Sequence, residues 1–158
     1  MMTFAADHEV LLDRLDEELR TAVEPAKDLF SRIIAGGWTR ILVLSRSGRA
    51  TRIDGLIESG AWADAALAVV ELELPAWRVR RLVCENGEWI CSLSRQPNVP
   101  AELDDTADAW HSLLPMAILR AFVEARRRGG FAAETNPTVP RVQPAPELER
   151  AICCDNFA

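Results

Sequence analysis

Apolar and polar positions over the first 35 residues recur with the period of a helix. Leu12, Leu15, Leu19, Ala22, Ala26, Leu29 and Ile33 follow at intervals of three and four, an a/d-type stripe, with acids clustered in the first turns where the helix dipole favours them. The spacing predicts helix over 7–35, with Asp7 as its N-cap and Gly36-Gly37 as its end. Pro25 falls inside the run, so it either kinks one long helix or starts a second one from its first position. Such a stripe has two uses. It covers the protein's own core, or it forms a dimer seam through Leu12, Leu15, Leu19, Leu29 and Ile33.

The pattern then changes. Trp38 to Ser45 has the β-branched and apolar content of a strand, and Ser47-Gly48 marks a turn. Arg49 to Ile53 either returns as a second strand or begins a helix, leaving 38–53 as a hairpin or as strand then helix. Ile53, Leu56 and Ile57 have helical spacing and stop at Gly60. A longer helix over 61–72 turns Trp62, Ala65, Ala66, Val69 and Val70 to one side, and Pro75 stops it.

A β-hairpin is predicted over 77–95 about Asn86-Gly87, the pair that best tolerates the positive φ angles of a type I′ turn. A two-residue loop sets Glu85 opposite Glu88, Cys84 opposite Trp89 and Leu82 opposite Cys91. Leu82, Cys84, Trp89, Cys91 and Leu93 then share a core face, onto which Arg80 also falls. Val83, Ile90, Ser92 and Ser94 lie opposite. Pro97 and Pro100 open a loop containing the acidic run 102–108, in which Asp104-Asp105 reads as a solvated pair. A last helix, from near Pro115 to Arg128, carries Ile118, Leu119, Phe122 and Ala125 on one stripe, with Gly129-Gly130 behind it. Together these elements predict an α+β fold, a small antiparallel sheet built on the 77–95 hairpin and packed by helices. The chain divides into an N-terminal helical arm (1–36), an α+β domain (37–128) and a proline-rich tail (129–158).

The order of segments over about 53–127 resembles a known family. Ile53-Asp-Gly-Leu-Ile57 is followed by the helix bearing Trp62, Ala65 and Val69-Val70-Glu71, then by the Asn86-Gly-Glu-Trp89 hairpin. Pro115-Met-Ala-Ile118 with Arg120-Ala121 and Ala125 closes the series. This arrangement resembles the small phage and bacterial "ABA sandwich" family, whose last helix opens with a Pro-x-Ala-Ile-x-Arg-Ala pattern. The resemblance implies a small antiparallel sheet with helices packed on it, and it implies no activity and no functional residues.

Composition narrows the function classes. The chain has 158 residues, 49% of them hydrophobic, enough for one domain with a core of its own. A net charge of −6 argues against a generally basic nucleic-acid binder. Asp7 and Glu9 interrupt any leader-like start, and the apolar runs 41–44 and 65–70 are far shorter than a membrane span. The expectation is a cytoplasmic protein with no membrane attachment. Cys84, Cys91, Cys153 and Cys154 are too sparse for a disulfide framework and read as reduced thiols.

Metal-ligand spacing is lacking: Cys84 and Cys91 sit diagonally across the hairpin, and His8 and His111 are far from both in sequence, so no metal and no cofactor is expected. Cys91, His111 and Asp108 supply the residue types of a nucleophile, a base and an orienting group, but no nucleophile elbow, phosphate loop or His-Glu-x-x-His supports an enzyme. Residues 29–53 hold five arginines and no acid, and Arg46, Ser47, Arg49 and Arg52 form a turn suited to anions or nucleic acid. Against that stands salt-bridging of these arginines, and of Arg78, Arg80 and Arg81, to the acidic first helix. The sequence therefore points first to a non-enzymatic accessory protein of bacterial or prophage type that binds a protein partner or itself. An anion- or nucleic-acid-binding module at Arg46–Arg52 comes second. An enzyme centred on Cys91 and His111 comes third.

Overall fold

The computed structural model describes residues 3–35 and 48–129. Helix α1 (Thr3–Thr21) begins four residues ahead of Asp7, which therefore lies inside the helix and is not its cap. The chain breaks after Thr21, and α2 (Lys27–Ala35) opens where the Ala26 carbonyl accepts from the Leu29 and Phe30 amides. Pro25 thus sits just ahead of a second helix, not at its first position. Leu12, Leu15, Leu19, Leu29 and Ile33 are all buried in the chain's own core. The stripe covers the protein that carries it, and these side chains have no surface left to form a dimer seam.

Helix α3 (Gly48–Glu58) resolves one alternative: Arg49 to Ile53 is helix, not a returning strand. The stretch 38–45 lies outside the described residues. Gly60, at φ +75°, ends α3 as a Schellman cap, with its amide on the Ile57 carbonyl and the Ala61 amide on the Leu56 carbonyl. Helix α4 (Trp62–Glu73) buries Ala65, Ala66, Val69 and Val70, and Trp62 meets Phe30 of α2 at a ring separation of 5.5 Å.

Three antiparallel strands follow in the order β1 (Arg78–Glu85), β2 (Glu88–Ser94), β3 (Ala107–His111). Asn86 and Gly87 take φ angles of +52° and +84°, as a type I′ turn requires. The predicted pairings Glu85–Glu88, Cys84–Trp89 and Leu82–Cys91 are all present. Beyond Arg81 the register shifts by a β-bulge that leaves Arg80 without a partner on β2. Strand β3 is a difference from the sequence reading, which left this stretch in a loop. It pairs with β2 through Trp89–His111, Cys91–Ala109 and Leu93–Ala107.

Helix α5 (Leu114–Gly129) packs on one face of this sheet, against β2 and β3, and its other sides meet α1 and α4. Met116, Ile118, Leu119, Phe122 and Val123 are fully buried, so a single core joins the N-terminal helices, α5 and the sheet. All the described helices lie with this core, giving the α+β layering expected. None of the helices among the described residues is long and apolar enough to cross a membrane.

Candidate functional site

Strand alternation gives the sheet two unlike faces. Cys91, Leu93, Ala107, Ala109 and His111 are buried on the face that α5 covers. On the other face, pairing places Val83, Ile90 and Trp110 in one row across all three strands. Val83 and Ile90 are half-buried, and Trp110, at the row's end on the edge strand, is 56% exposed. The neighbouring row is polar: Arg81, Ser92 and Asp108. Glu85 and Glu88 face each other on the opposite side of the apolar row, and Arg81 reaches along its strand to bind Glu85. An apolar centre with a charged rim has the anatomy of a protein-binding surface.

The bulge at Arg80 follows from a second interaction. Its guanidinium binds the Asp104 carboxylate and donates to the Val99 carbonyl, tying β1 to the 95–106 connection. The Asp104 side chain is only 2% exposed, which corrects the reading of Asp104-Asp105 as a solvated pair. Asp105 is exposed and is held by Arg128 of α5. Arg120 and Arg127 of the same helix bind Asp16 and Asp13 of α1 at 2.9 and 2.6 Å. Arg32 pairs with Glu18. Acids of the first helix and of the 102–108 run thus pair with Arg32, Arg80, Arg120, Arg127 and Arg128. Among the described side chains of the arginines weighed for anion binding, though, only Arg32 pairs with the first helix.

A groove of about 560 Å³ lies between α3, α4 and the start of β1. Ile53, Ala68, Leu72 and Pro75 give it an apolar lining, and Arg52, Glu71 and Arg78 stand in it as charged groups. Arg78 is pinned through one terminal nitrogen, Nη1, which donates to the Pro75 and Trp77 carbonyls. Neither Arg52 nor Arg78 has a carboxylate within ion-pair distance among the described residues. Of the anion-binding turn, Arg46 and Ser47 lie outside the described residues, Arg49 is in the first turn of α3, and Arg52 is exposed on the same helix.

The residues of the candidate catalytic set are separated. Burial pushes the Cys91 thiol up to about 12, the nearby Asp108 adding to it, so the nucleophilic thiolate is suppressed. His111 shares the covered face with Cys91, but Asp108 projects from the other face and accepts from the Thr106 hydroxyl at 2.7 Å. His111 is engaged elsewhere: its Nδ1 accepts from the Leu113 amide at 2.9 Å, capping α5, and it bonds to the backbone of Arg20 at the end of α1. No three potential metal ligands cluster among the described residues. Comparison with protein-family models, curated proteins and solved structures finds no match for the chain.

Sequence reasoning missed Trp110 because it missed β3. The signal present was the alternation of Ala107 and Ala109, inward, with Asp108 and Trp110, outward.

Proposed function

We propose that this chain is a non-enzymatic interaction protein that binds a protein partner, or a second copy of itself, through the open face of its sheet. The supporting observation is the row Val83–Ile90–Trp110, left uncovered by α5 and rimmed by Arg81, Asp108, Glu85 and Glu88. Large aromatics at the centre of a polar rim are where binding energy concentrates, and truncating one costs about 2 kcal/mol or more of affinity. Strand β3, which has no second neighbour among the described residues, carries the tryptophan, so a partner seated on it can also meet backbone groups of that strand.

The test compares the full chain with Trp110→Ser, and sedimentation is used to detect self-association. Capture of binding proteins is run with and without nuclease. The expected result is a discrete complex, with another protein or with itself, that survives nuclease and high salt and weakens at least thirtyfold in the variant. A complex indifferent to Trp110→Ser removes the open face from consideration. Capture that disappears with nuclease or moderate salt transfers the function to the arginine turn at Arg46–Arg52.

A further inference from the structure

Going beyond the sheet-face reading, we infer that the groove between α3, α4 and β1 binds a small carboxylic acid with a short hydrocarbon body, its carboxylate held by Arg52 and Arg78. The groove's volume, about 560 Å³, falls in the range of small-molecule sites. Ile53 and Leu72 behind it belong to the buried core, so its floor is fixed by packing, while Ala68 and Pro75 carry the apolar surface that a ligand can reach. The two guanidiniums come from separate elements, α3 and the first residue of β1, and converge on one groove. Most other arginines described here are matched to a carboxylate, whereas these two have none within ion-pair distance among the described residues. Arg78 is also preorganised, since its Nη1 bonds to two backbone carbonyls while Nη2 and Nε make no hydrogen bond among the described residues. A planar guanidinium with a free edge suits a carboxylate.

Glu71 narrows the ligand. It lines the same groove as an exposed carboxylate, so two positive charges face one negative charge. A single negative charge on the ligand balances the site, and a second would meet Glu71 without compensation. A monoanionic carboxylate therefore fits better than a dianionic phosphate.

The experiment is calorimetric titration of the full chain with octanoate, kept below its micellar range, and with octanol as the uncharged analogue. Octanoate should bind and octanol should bind at least tenfold more weakly. Arg52→Gln should weaken octanoate about tenfold or more, since a charge-assisted contact is lost, and Glu71→Gln should tighten it. Ala68→Phe, which fills the groove from α4, should abolish binding. Arg52 and Glu71 are exposed, so thermal melting of those two variants should match the parent. No heat with octanoate, equal binding of octanol, or unchanged affinity in folded Arg52→Gln would each overturn the assignment.

Discussion

Residues on the two faces of the same three strands meet opposite surroundings. On β2, Leu93 is sealed beneath α5, while Ile90, three positions away, lies half-buried on the uncovered side. On β3, Ala109 and His111 turn inward and Trp110 between them turns outward with more than half its surface free. The covered face has small side chains where α5 comes close, at Ala107 and Ala109. The open face has its largest side chain where nothing described packs on it. A sheet whose second face met only water would carry polar groups there, not a row of Val83, Ile90 and Trp110. This difference underlies the proposal that one face carries stability and the other recognition.

Substitutions on β2 should expose that division most strongly. Leu93→Ala removes a fully buried side chain against α5 and should cost about 2–5 kcal/mol in urea unfolding. A loss as small as that of an exposed residue would mean that α5 does not close over the sheet.

The bulge separates two adjacent arginines in the same way. Arg80 is largely buried against Asp104, and Arg81 is exposed beside Glu85. Arg80→Gln leaves the enclosed Asp104 carboxylate without its counter-charge and should cost about 2 kcal/mol, while Arg81→Gln should cost about 0.5 kcal/mol or less. Equal effects on thermal unfolding would show that the bulge does not bury its ion pair.

His111 gives the covered face a pH signature. Burial, and then Arg120, lower its pKa from the ordinary value of 6.5, so the unfolded chain takes up the proton first as pH falls. The stability contributed by neutral His111 is complete above that ordinary value and drains away as pH drops from it toward the lowered one. Protonating Nδ1 would also remove the acceptor that caps α5 at Leu113. His111→Asn should therefore flatten the dependence of unfolding free energy on pH as pH falls below the ordinary histidine value of 6.5. An unchanged slope would place the histidine in water.

Much of the fold was legible because its signals are local. Asn86-Gly87 dictated both the turn and the register as far as Arg81, and Gly60 announced the end of α3. The helix that opens at Leu114 was readable from Pro115 and its apolar stripe. What could not be read depends on distant partners. Ala107-Asp-Ala-Trp-His111 is short, and its inward residues include two alanines, which favour helix over strand, so only pairing with β2 makes it a strand. Nothing in Arg78-Val-Arg-Arg-Leu82 marks a bulge; Asp104, 24 residues ahead of Arg80, provides the reason. The dimer seam had the correct residues and the wrong occupant, because periodicity locates an apolar face without naming what covers it. The arginine turn was divided: Arg52 and Arg78, which stand in two separate clusters along the chain, share one groove, whereas Arg80 is committed to Asp104.

The smallest predicted effect bears most directly on the division between the faces. Urea unfolding of Trp110→Ser should give a stability within about 1 kcal/mol of the parent, since the removed side chain is more exposed than buried. A loss of about 3 kcal/mol or more, the scale of a core aromatic, would show that this face is packed and would contradict its assignment to binding.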